Sequence, residues 1–153
     1  MHRRAGVDDP GRVRMVDVGD KPLQRRLARA TGTLTMATET VSRIEEDRLP
    51  KGDVLTVAQI AGLQAAKQTA YLIPLCHPLV LDRIDLQLRL VPEGVVATSE
   101  VGCTARTGAE MEALIAVSVA LLTVYDMCKA VDLHMRLSDV FLVEKAKYDV
   151  AEG

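Results

Sequence analysis

The chain has 153 residues, of which 48% are apolar and 26% charged, so it can bury a core as one soluble domain. Aromatic residues make up only 3% and the net charge is −2, which excludes an aromatic platform for single strands and bulk attraction to nucleic acid. Three widely spaced cysteines, Cys76, Cys103 and Cys128, indicate a reducing compartment rather than a disulfide framework.

The N-terminal residues 1–13 are predicted to be a flexible leader, followed by a single domain over residues 14–153. The start has no apolar segment of the kind found in signal peptides. The longest apolar run, around Ala113 to Tyr125, is shorter than the ~20 residues of a membrane span. We therefore expect a cytoplasmic protein that has neither a membrane nor a nucleic acid as partner.

The first half of the domain is predicted to contain a strand and two helices. Residues 29–36 alternate as in a strand, and residues 38–49 have a helical period that Pro50 ends. Asp53 is a good N-cap for the second helix, which Pro74 ends. Gly62 inside that helix is unfavourable by roughly 1 kcal/mol relative to Ala, so we expect it to permit close packing.

The second half is predicted to contain a β-hairpin, a long helix and a last strand. Apolar and polar residues alternate in segments 81–91 and 95–103, on either side of a turn. This pattern predicts a β-hairpin with one solvent-exposed face. Thr107 and Glu110 fit a capping box that opens a helix reaching about residue 131. That helix is apolar nearly all round, so we expect it to be buried on every side, in part by another subunit. Residues 137–144 form the last strand.

This order of elements suits an α+β sandwich, in which helices cover one face of an antiparallel sheet. No metal site is expected. A metal-binding module built on Cys76, His77 and Cys128 is a weak alternative, since the spacing of these residues fits no standard site.

His77 is the first candidate for chemistry. It follows Cys76 and lies between Pro74 and Pro78, which restrict the backbone on both sides. A rigid loop can hold an acid–base group or a ligand donor, but such a ring can equally satisfy loop carbonyls. Cys76 is interpreted as a small hydrophobe rather than a nucleophile.

Asp126 and Lys129 lie at positions i and i+3 and therefore share a helix face. The plain alternative is a surface ion pair, but the preceding turns are too apolar for a solvated face. Lys51 precedes a helix N-terminus that could hold phosphate, although it could also be a solvated loop lysine. Glu110 is interpreted as a cap, and Glu112 is freer to bind a ligand such as a guanine-like edge. Chance enrichment of acidic residues in a first helical turn is the alternative that the local pattern favours.

Taken together, several blocks of this chain resemble those of the cyclic pyranopterin monophosphate synthase family, the C protein of molybdenum-cofactor biosynthesis. The blocks include Lys51-Gly52-Asp53, residues 72–79, residues 107–114 and residues 123–130, and the segment Met15-Val16-Asp17-Val18 matches the N-terminal signature. The resemblance covers about residues 14–145 in the right order.

The resemblance implies a lyase that converts 3′,8-cyclo-7,8-dihydro-GTP into cyclic pyranopterin monophosphate and releases pyrophosphate. It implies a ferredoxin-like α+β fold with a four-stranded antiparallel sheet, and a homohexamer of three dimers with active sites at the dimer interface. No cofactor is implied beyond Mg²⁺ that could accompany the triphosphate.

The same resemblance assigns roles to individual residues. Asp126, Lys51 and Lys129 match catalytic positions. The positions implied to bind substrate are Leu75, Cys76, His77, Glu110, Met111, Glu112, Lys67, Lys145 and Arg26. Since the net charge is −2, these cations would have to converge locally to neutralise a triphosphate.

The chain departs from the family pattern after Lys145. The family usually continues with a glycine-rich sequence, whereas this chain reads Ala146-Lys147-Tyr148-Asp149. That departure motivates an alternative function, a catalytically weakened paralogue that binds purine nucleotides.

Overall fold

A computed structural model describes residues 12–150, which form a four-stranded antiparallel sheet with helices on one face. The elements in chain order are β1 (Gln24–Thr35), α1 (Thr38–Glu45), α2 (Val54–Lys67), α3 (Thr69–Leu72), β2 (Arg83–Val91), β3 (Gly94–Ala105), α4 (Glu110–Cys128) and β4 (Arg136–Asp149). The predicted α+β class is confirmed. The leader predicted for residues 1–13 lies almost wholly outside the described residues.

The sheet has the strand order β2-β3-β1-β4, so β1 and β3 are central and β2 and β4 are edges. Alternate residues of β1, including Ala28, Ala30 and Leu34, are buried against the helices, while their neighbours point to the open face. The predicted hairpin is confirmed as β2 and β3. Gly94 at its turn has a φ of 155°, and a Cβ there would lie 1.8 Å from the Leu34 carbonyl oxygen.

Helix α4 forms the centre of the core. Nine of its residues are buried, and Ser99 Oγ on β3 donates a 2.8 Å hydrogen bond to the Ala113 carbonyl. By length and composition alone α4 could cross a membrane, but it packs between the sheet and α2 as a core helix. Within one chain α4 is not covered all round, because Leu122 is 52% exposed, and the predicted cover by another subunit stays a prediction.

Helix α2 packs closely on α4 at Gly62. A Cβ at this position would lie 2.3 Å from Leu86 Cδ2, 2.7 Å from the Ala116 carbonyl oxygen and 3.1 Å from Ala120 Cβ. The Ala116 oxygen belongs to the backbone of a buried helix and cannot move aside cheaply. Gly62 therefore permits the close approach that the sequence predicted.

Several boundaries differ from the prediction. Strand β1 begins at Gln24 rather than at residue 29, and α2 ends at Lys67 instead of continuing to Pro74. Helix α1 ends at Glu45 rather than near residue 49, and α4 ends at Cys128. The capping box is wrong: Ala109 is the N-cap of α4, and it makes no side-chain cap. The last strand is longer than predicted, because β4 continues to Asp149 and pairs with the start of β1.

A buried carboxylate, Asp132, fastens the segment after α4 to the start of α1. Its Oδ2 accepts hydrogen bonds from Ala37 N at 2.9 Å and Thr40 Oγ1 at 2.8 Å, and its Oδ1 accepts one from His134 N at 3.1 Å. The pKa of Asp132 is lowered: burial opposes ionisation, but the hydrogen bonds from Ala37, His134 and Thr40 outweigh it. The helix α1, which lacks a side-chain cap of its own, is thus capped from elsewhere in the chain.

We expect Gly62→Ala to lower the free energy of unfolding by about 1–3 kcal/mol, although Ala has the higher helix propensity, because the added methyl group overpacks the contact with α4. Chemical denaturation of the purified variant measures this. Gly102→Ala is the control, since a Cβ there meets its nearest neighbours at an ordinary 3.8 Å. Equal stabilities of Gly62→Ala and the unaltered protein would contradict this account of the packing.

Candidate active site

Three charged side chains meet at the C-terminal end of α4, and we call Lys51, Asp126 and Lys129 the lysine–aspartate cluster. Asp126 Oδ2 lies 3.0 Å from Lys51 Nζ, and Asp126 Oδ1 lies 2.9 Å from Lys129 Nζ. Lys51 Nζ also donates to the Asp126 carbonyl at 3.2 Å. The structure therefore brings together all three residues that the sequence predicted to be catalytic.

The carboxylate of Asp126 is held in its ionised form. The hydrogen bonds from Lys129 and Lys51, together with the charges of the two ammonium groups, lower the pKa of Asp126 below its ordinary value. The three side chains are 50%, 55% and 60% exposed for Lys51, Asp126 and Lys129. The prediction that this helix face is not solvated is therefore wrong for a single chain.

The backbone on both sides of the cluster is fastened. Lys129 lies three residues before Asp132, the carboxylate that ties this segment to α1. Lys51 follows α1 and the buried Leu49, and it precedes Asp53, whose side chain caps α2 by accepting from Thr56 N at 3.2 Å. The chain thus presents Lys51 and Lys129 from two anchored segments.

A second group of charges lies at the N-terminal end of α4, and we call Arg26, Cys76, Glu110, Glu112 and Lys145 the glutamate cluster. Glu110 Oε1 forms a 2.8 Å ion pair with Lys145 Nζ on β4. Cys76 Sγ donates to Glu112 Oε1 at 3.8 Å, and Arg26 donates through Nη2 to the Arg106 carbonyl at 3.2 Å. Glu110 is thus an ion-pair partner and not the cap that the sequence predicted.

Glu112 is only 2% exposed, so its carboxylate lies below the surface in the single chain, and its predicted contact with a ligand stays a prediction. Burial is the main cause that raises its pKa, and the charge of Glu110 adds to it. Within residues 12–150, Glu112 Oε2 and Arg26 Nε are buried atoms without a hydrogen-bond partner. Buried polar atoms of this kind are rare in folded proteins, and each calls for a partner such as a water, an ion or a ligand.

His77 fixes the chain segment that precedes β1. Its Nε2 lies 2.6 Å from the Val16 carbonyl oxygen, so Nε2 carries the proton and donates it. This is the structural role that the sequence left open for His77, and it leaves Nδ1 as a possible acceptor. Burial and the neighbouring Glu112 raise the pKa of the Cys76 thiol, which disfavours the nucleophilic thiolate. Leu75 beside it is exposed and Met111 is half-buried.

Lys67 is not brought into contact with either cluster. It lies at the C-terminal end of α2 beside a separate depression of about 410 Å³, with Ile60, Leu63, Gln64 and Gln68.

Two cations that sequence reasoning did not select, Lys21 and Lys147, line a cavity of about 660 Å³ together with Arg26 and Lys145. Lys147 could have been found from the period of a β-strand. It lies two residues after Lys145, so the two side chains share one face of β4.

The two clusters lie far apart within one chain. Glu110 and Asp126 begin and nearly end the same straight helix, and a separation of 16 residues corresponds to roughly 24 Å at ~1.5 Å per residue. A nucleotide-sized ligand cannot contact both clusters of one chain. Within residues 12–150, no group of three or more His, Cys, Asp or Glu side chains could hold a metal ion.

Comparison with known proteins places the chain in a single family. The family model described as "MoaC family" matches residues 15–147. Cyclic pyranopterin monophosphate synthase of Desulfitobacterium hafniense is 52% identical over 139 residues, covering 90% of this chain and 85% of the relative. The protein of that name from Novosphingobium aromaticivorans is also 52% identical over 139 residues, covering 91% of this chain and 88% of the relative.

A longer relative contains a similar segment. The molybdenum cofactor biosynthesis bifunctional protein of Chlorobaculum tepidum is 50% identical over 139 residues, which cover 91% of this chain but 45% of the relative.

We expect Glu112→Gln to raise the melting temperature at pH 7 to 8, because the ionised carboxylate is costly where burial has raised its pKa. This cost is present only at pH values where Glu112 is ionised. The rise in melting temperature should therefore become smaller as the pH falls toward 4.5, the ordinary pKa of a glutamate. Thermal melts across this pH range measure the difference.

Glu110→Gln is the matched control, and its expected effect on stability has the opposite sign. Partial burial opposes ionisation of Glu110, but the hydrogen bond and charge of Lys145 outweigh it and lower the pKa. This variant should lose stability at neutral pH, and the loss should disappear as the pH falls below the ordinary value. The same dependence of stability on pH in both variants would contradict the opposite pKa shifts of Glu110 and Glu112.

Proposed function

Because the chain belongs to the MoaC family, we propose that it is a cyclic pyranopterin monophosphate synthase of molybdenum-cofactor biosynthesis. The substrate is (8S)-3′,8-cyclo-7,8-dihydroguanosine 5′-triphosphate, and the products are cyclic pyranopterin monophosphate and pyrophosphate. The observation that carries this proposal is an identity of about one half to synthases that the chain matches over 90% of its length. The presence of Lys51, Asp126 and Lys129 in one ion-paired cluster supports it further.

The lysine–aspartate cluster is suited to the phosphate chemistry of this reaction. A triphosphate becomes a cyclic monophosphate when a substrate oxygen attacks the α-phosphorus and pyrophosphate leaves with the electrons of the broken bond. Ammonium groups neutralise the charge that develops on the leaving group and can donate it a proton. Asp126, ionised between Lys51 and Lys129, keeps both ammonium groups together before substrate binds.

The glutamate cluster is suited to the purine end of the substrate. A guanine-like edge offers adjacent N–H donors, and Glu112 Oε2 is an acceptor without a partner among the described residues. His77 and Cys76 hold the loop beside it through the contacts to Val16 and Glu112. The rearrangement of the purine ring also needs proton transfers, for which lysine is a suitable acid or base.

A complete site then requires two chains. Since the two clusters lie at opposite ends of α4, we propose that the lysine–aspartate cluster of one subunit faces the glutamate cluster of its partner across a two-fold axis. The exposed Leu122 on α4 supports a subunit contact along this helix. Three such dimers form the homohexamer, in which Lys67 supplies further positive charge.

The remaining properties follow from the same assignment. The protein acts in the cytoplasm on a small-molecule triphosphate, and it needs neither a nucleic acid nor a membrane. No organic cofactor is needed, and Mg²⁺ can enter with the phosphates. A weakened nucleotide-binding paralogue is not favoured, because the relatives at about 50% identity are named as synthases.

Incubation of the purified protein with the cyclic GTP derivative tests the activity. We expect pyrophosphate and the pterin product in equal amounts. Lys51→Ala and Lys129→Ala should each lower the rate by at least about 100-fold, since each removes a cation from the developing charge. Arg48→Ala is the matched control, because Arg48 is an exposed cation three residues before Lys51 and its ion pair among residues 12–150 is with Glu46. No product at high protein concentration would overturn the proposal.

Mixing two inactive variants tests the shared site. Lys129→Ala and Glu112→Gln each disable one cluster, and co-refolding them in equal amounts should restore about a quarter of the sites, because each site draws one cluster from each chain. Activity of the mixture is compared with that of each variant refolded alone. A mixture as inactive as its components would contradict a site shared between subunits.

A further inference from the structure

We propose that Asp132 is a positioning residue for the lysine–aspartate cluster, because its hydrogen bonds to the start of α1 hold Lys129 beside Asp126. Asp132 is 7% exposed, and it acts through Lys129 rather than on the substrate. The catalytic consequence rests on the proposed function, whereas the effect on the geometry of the cluster does not.

The segment that follows α4 has a single buried anchor. From residue 129 to residue 134 every residue is exposed except Asp132, and the next buried residue is Met135. The largest apolar side chain in the segment, Leu133, is 80% exposed. Apolar burial therefore does not fix this segment, and its position depends on the hydrogen bonds that Asp132 accepts.

Lys129 is joined to Asp132 by one turn of backbone. Lys129 is the C-cap of α4, and its N–H donates to the Tyr125 carbonyl at 2.9 Å. The N–H of Asp132 donates to the Cys128 carbonyl at 3.1 Å, so the chain folds back onto the last turn of the helix. A displacement of Asp132 would open the turn that carries Lys129.

The ion pair of Lys129 does not hold this geometry by itself. Lys129 Nζ lies 2.9 Å from Asp126 Oδ1, but the two side chains are 60% and 55% exposed. Exposed pairs gain little beyond the entropy that a long side chain loses in one conformation. Hydrogen bonds to the buried carboxylate of Asp132 are charge-assisted and shielded from water, so they are the stronger restraint.

The contact also gives the two lysines of the cluster a common reference. Asp132 supplies the side-chain cap that α1 lacks, at a helix N-terminus where negative charge is favourable. Apolar residues of α1 pack in the core, and Lys51 follows this helix in the chain. Lys129 and Lys51 are thus held relative to one buried helix, and both reach Asp126.

A carboxyl NMR titration tests the geometry without any need for turnover. The full-length protein is labelled with ¹³C at its aspartate carboxyl groups, and Asp126→Asn identifies the signal of Asp126. The contact with Lys129 lowers the pKa of Asp126, so we expect Asp132→Asn to raise that pKa toward its ordinary value. Removal of a negative charge would by itself lower the pKa, so the sign separates a lost lysine contact from a direct charge effect.

Leu86→Ala is the matched control for a general loss of stability. Leu86 is 1% exposed and packs against Gly62, near the middle of α4 and away from the cluster. The cavity should lower the melting temperature and leave the pKa of Asp126 unchanged. An unchanged or lowered pKa in Asp132→Asn overturns the proposal, as does a rise of equal size in Leu86→Ala.

Thr40 provides a second pair of variants that leave Asp132 in place, should Asp132→Asn fail to fold. Thr40→Val conserves the shape but removes the hydroxyl that donates to Asp132, whereas Thr40→Ser keeps it. We expect the pKa of Asp126 to rise in Thr40→Val and to be retained in Thr40→Ser. The same pKa in both variants contradicts the positioning role. Circular dichroism checks that each variant is folded.

Turnover of the cyclic GTP derivative measures the catalytic consequence. We expect Asp132→Asn to lower kcat about 10-fold with little change in KM, because a displaced cation misses the charge that develops in the transition state. In a Lys129→Ala background the same substitution should lower kcat by less than about 2-fold, since its effect passes through Lys129. An equal loss in both backgrounds overturns the role of Asp132.

The outcomes separate this proposal from the proposed function. If the unaltered protein forms no product, the synthase activity falls, and the NMR titration alone decides whether Asp132 positions Lys129. If product forms but the pKa of Asp126 does not rise in Asp132→Asn, the function stands and the positioning role falls.

Discussion

The burial of α4 between the sheet and α2 is the constraint on which the arrangement of the site depends. Small residues make this packing possible: Gly32 lies under Leu121, and Gly62 of α2 lies against Ala116 and Ala120. A helix held on two sides by close contacts cannot bend or slide without opening cavities in the core. The separation between its two ends is therefore a fixed property of the subunit.

This rigid separation is the reason that we propose two half-sites for the charges at the two ends of α4. The lysine–aspartate cluster is exposed, and exposed ion pairs contribute little to the stability of a fold. The glutamate cluster contains a buried carboxylate whose ionisation is costly. Neither arrangement is explained by stability, and both agree with the proposed ligand, which would reach from one subunit to the next.

Much of the fold could be predicted from local sequence patterns. The alternation in β2 and β3, the N-cap Asp53 and the small residue Gly62 each reflect interactions between residues that are near in sequence or on one element face. The cap of α1 could not be predicted, because Asp132 reaches it from more than 90 residues away. The burial of Glu112 was also missed, since it depends on the position of the loop that carries Cys76.

The catalytic roles of Lys51, Asp126 and Lys129 are predictions that rest on family resemblance rather than on local pattern. Lys51 and Asp126 are 75 positions apart, and only the packing of α2 beside α4 brings them to 3.0 Å. The cavity with Lys21 and Lys147 was missed for a related reason. The sequence predicted that β4 would end near residue 144. The pairing of Lys147 with Arg26 lies beyond that end and could not be predicted.

The extended strand β4 has a second consequence, because it is an edge of the sheet and carries the exposed side chains of Val140, Phe141 and Val143. Unprotected apolar edges invite pairing with strands of other molecules and lead to aggregation. Asp139 has a φ of 53°, and the pairing with β1 shifts register twice between residues 29 and 33 of β1. These irregularities bend the edge away from the flat geometry that a foreign strand needs. The irregular edge therefore lowers the tendency of β4 to pair with a strand of another molecule.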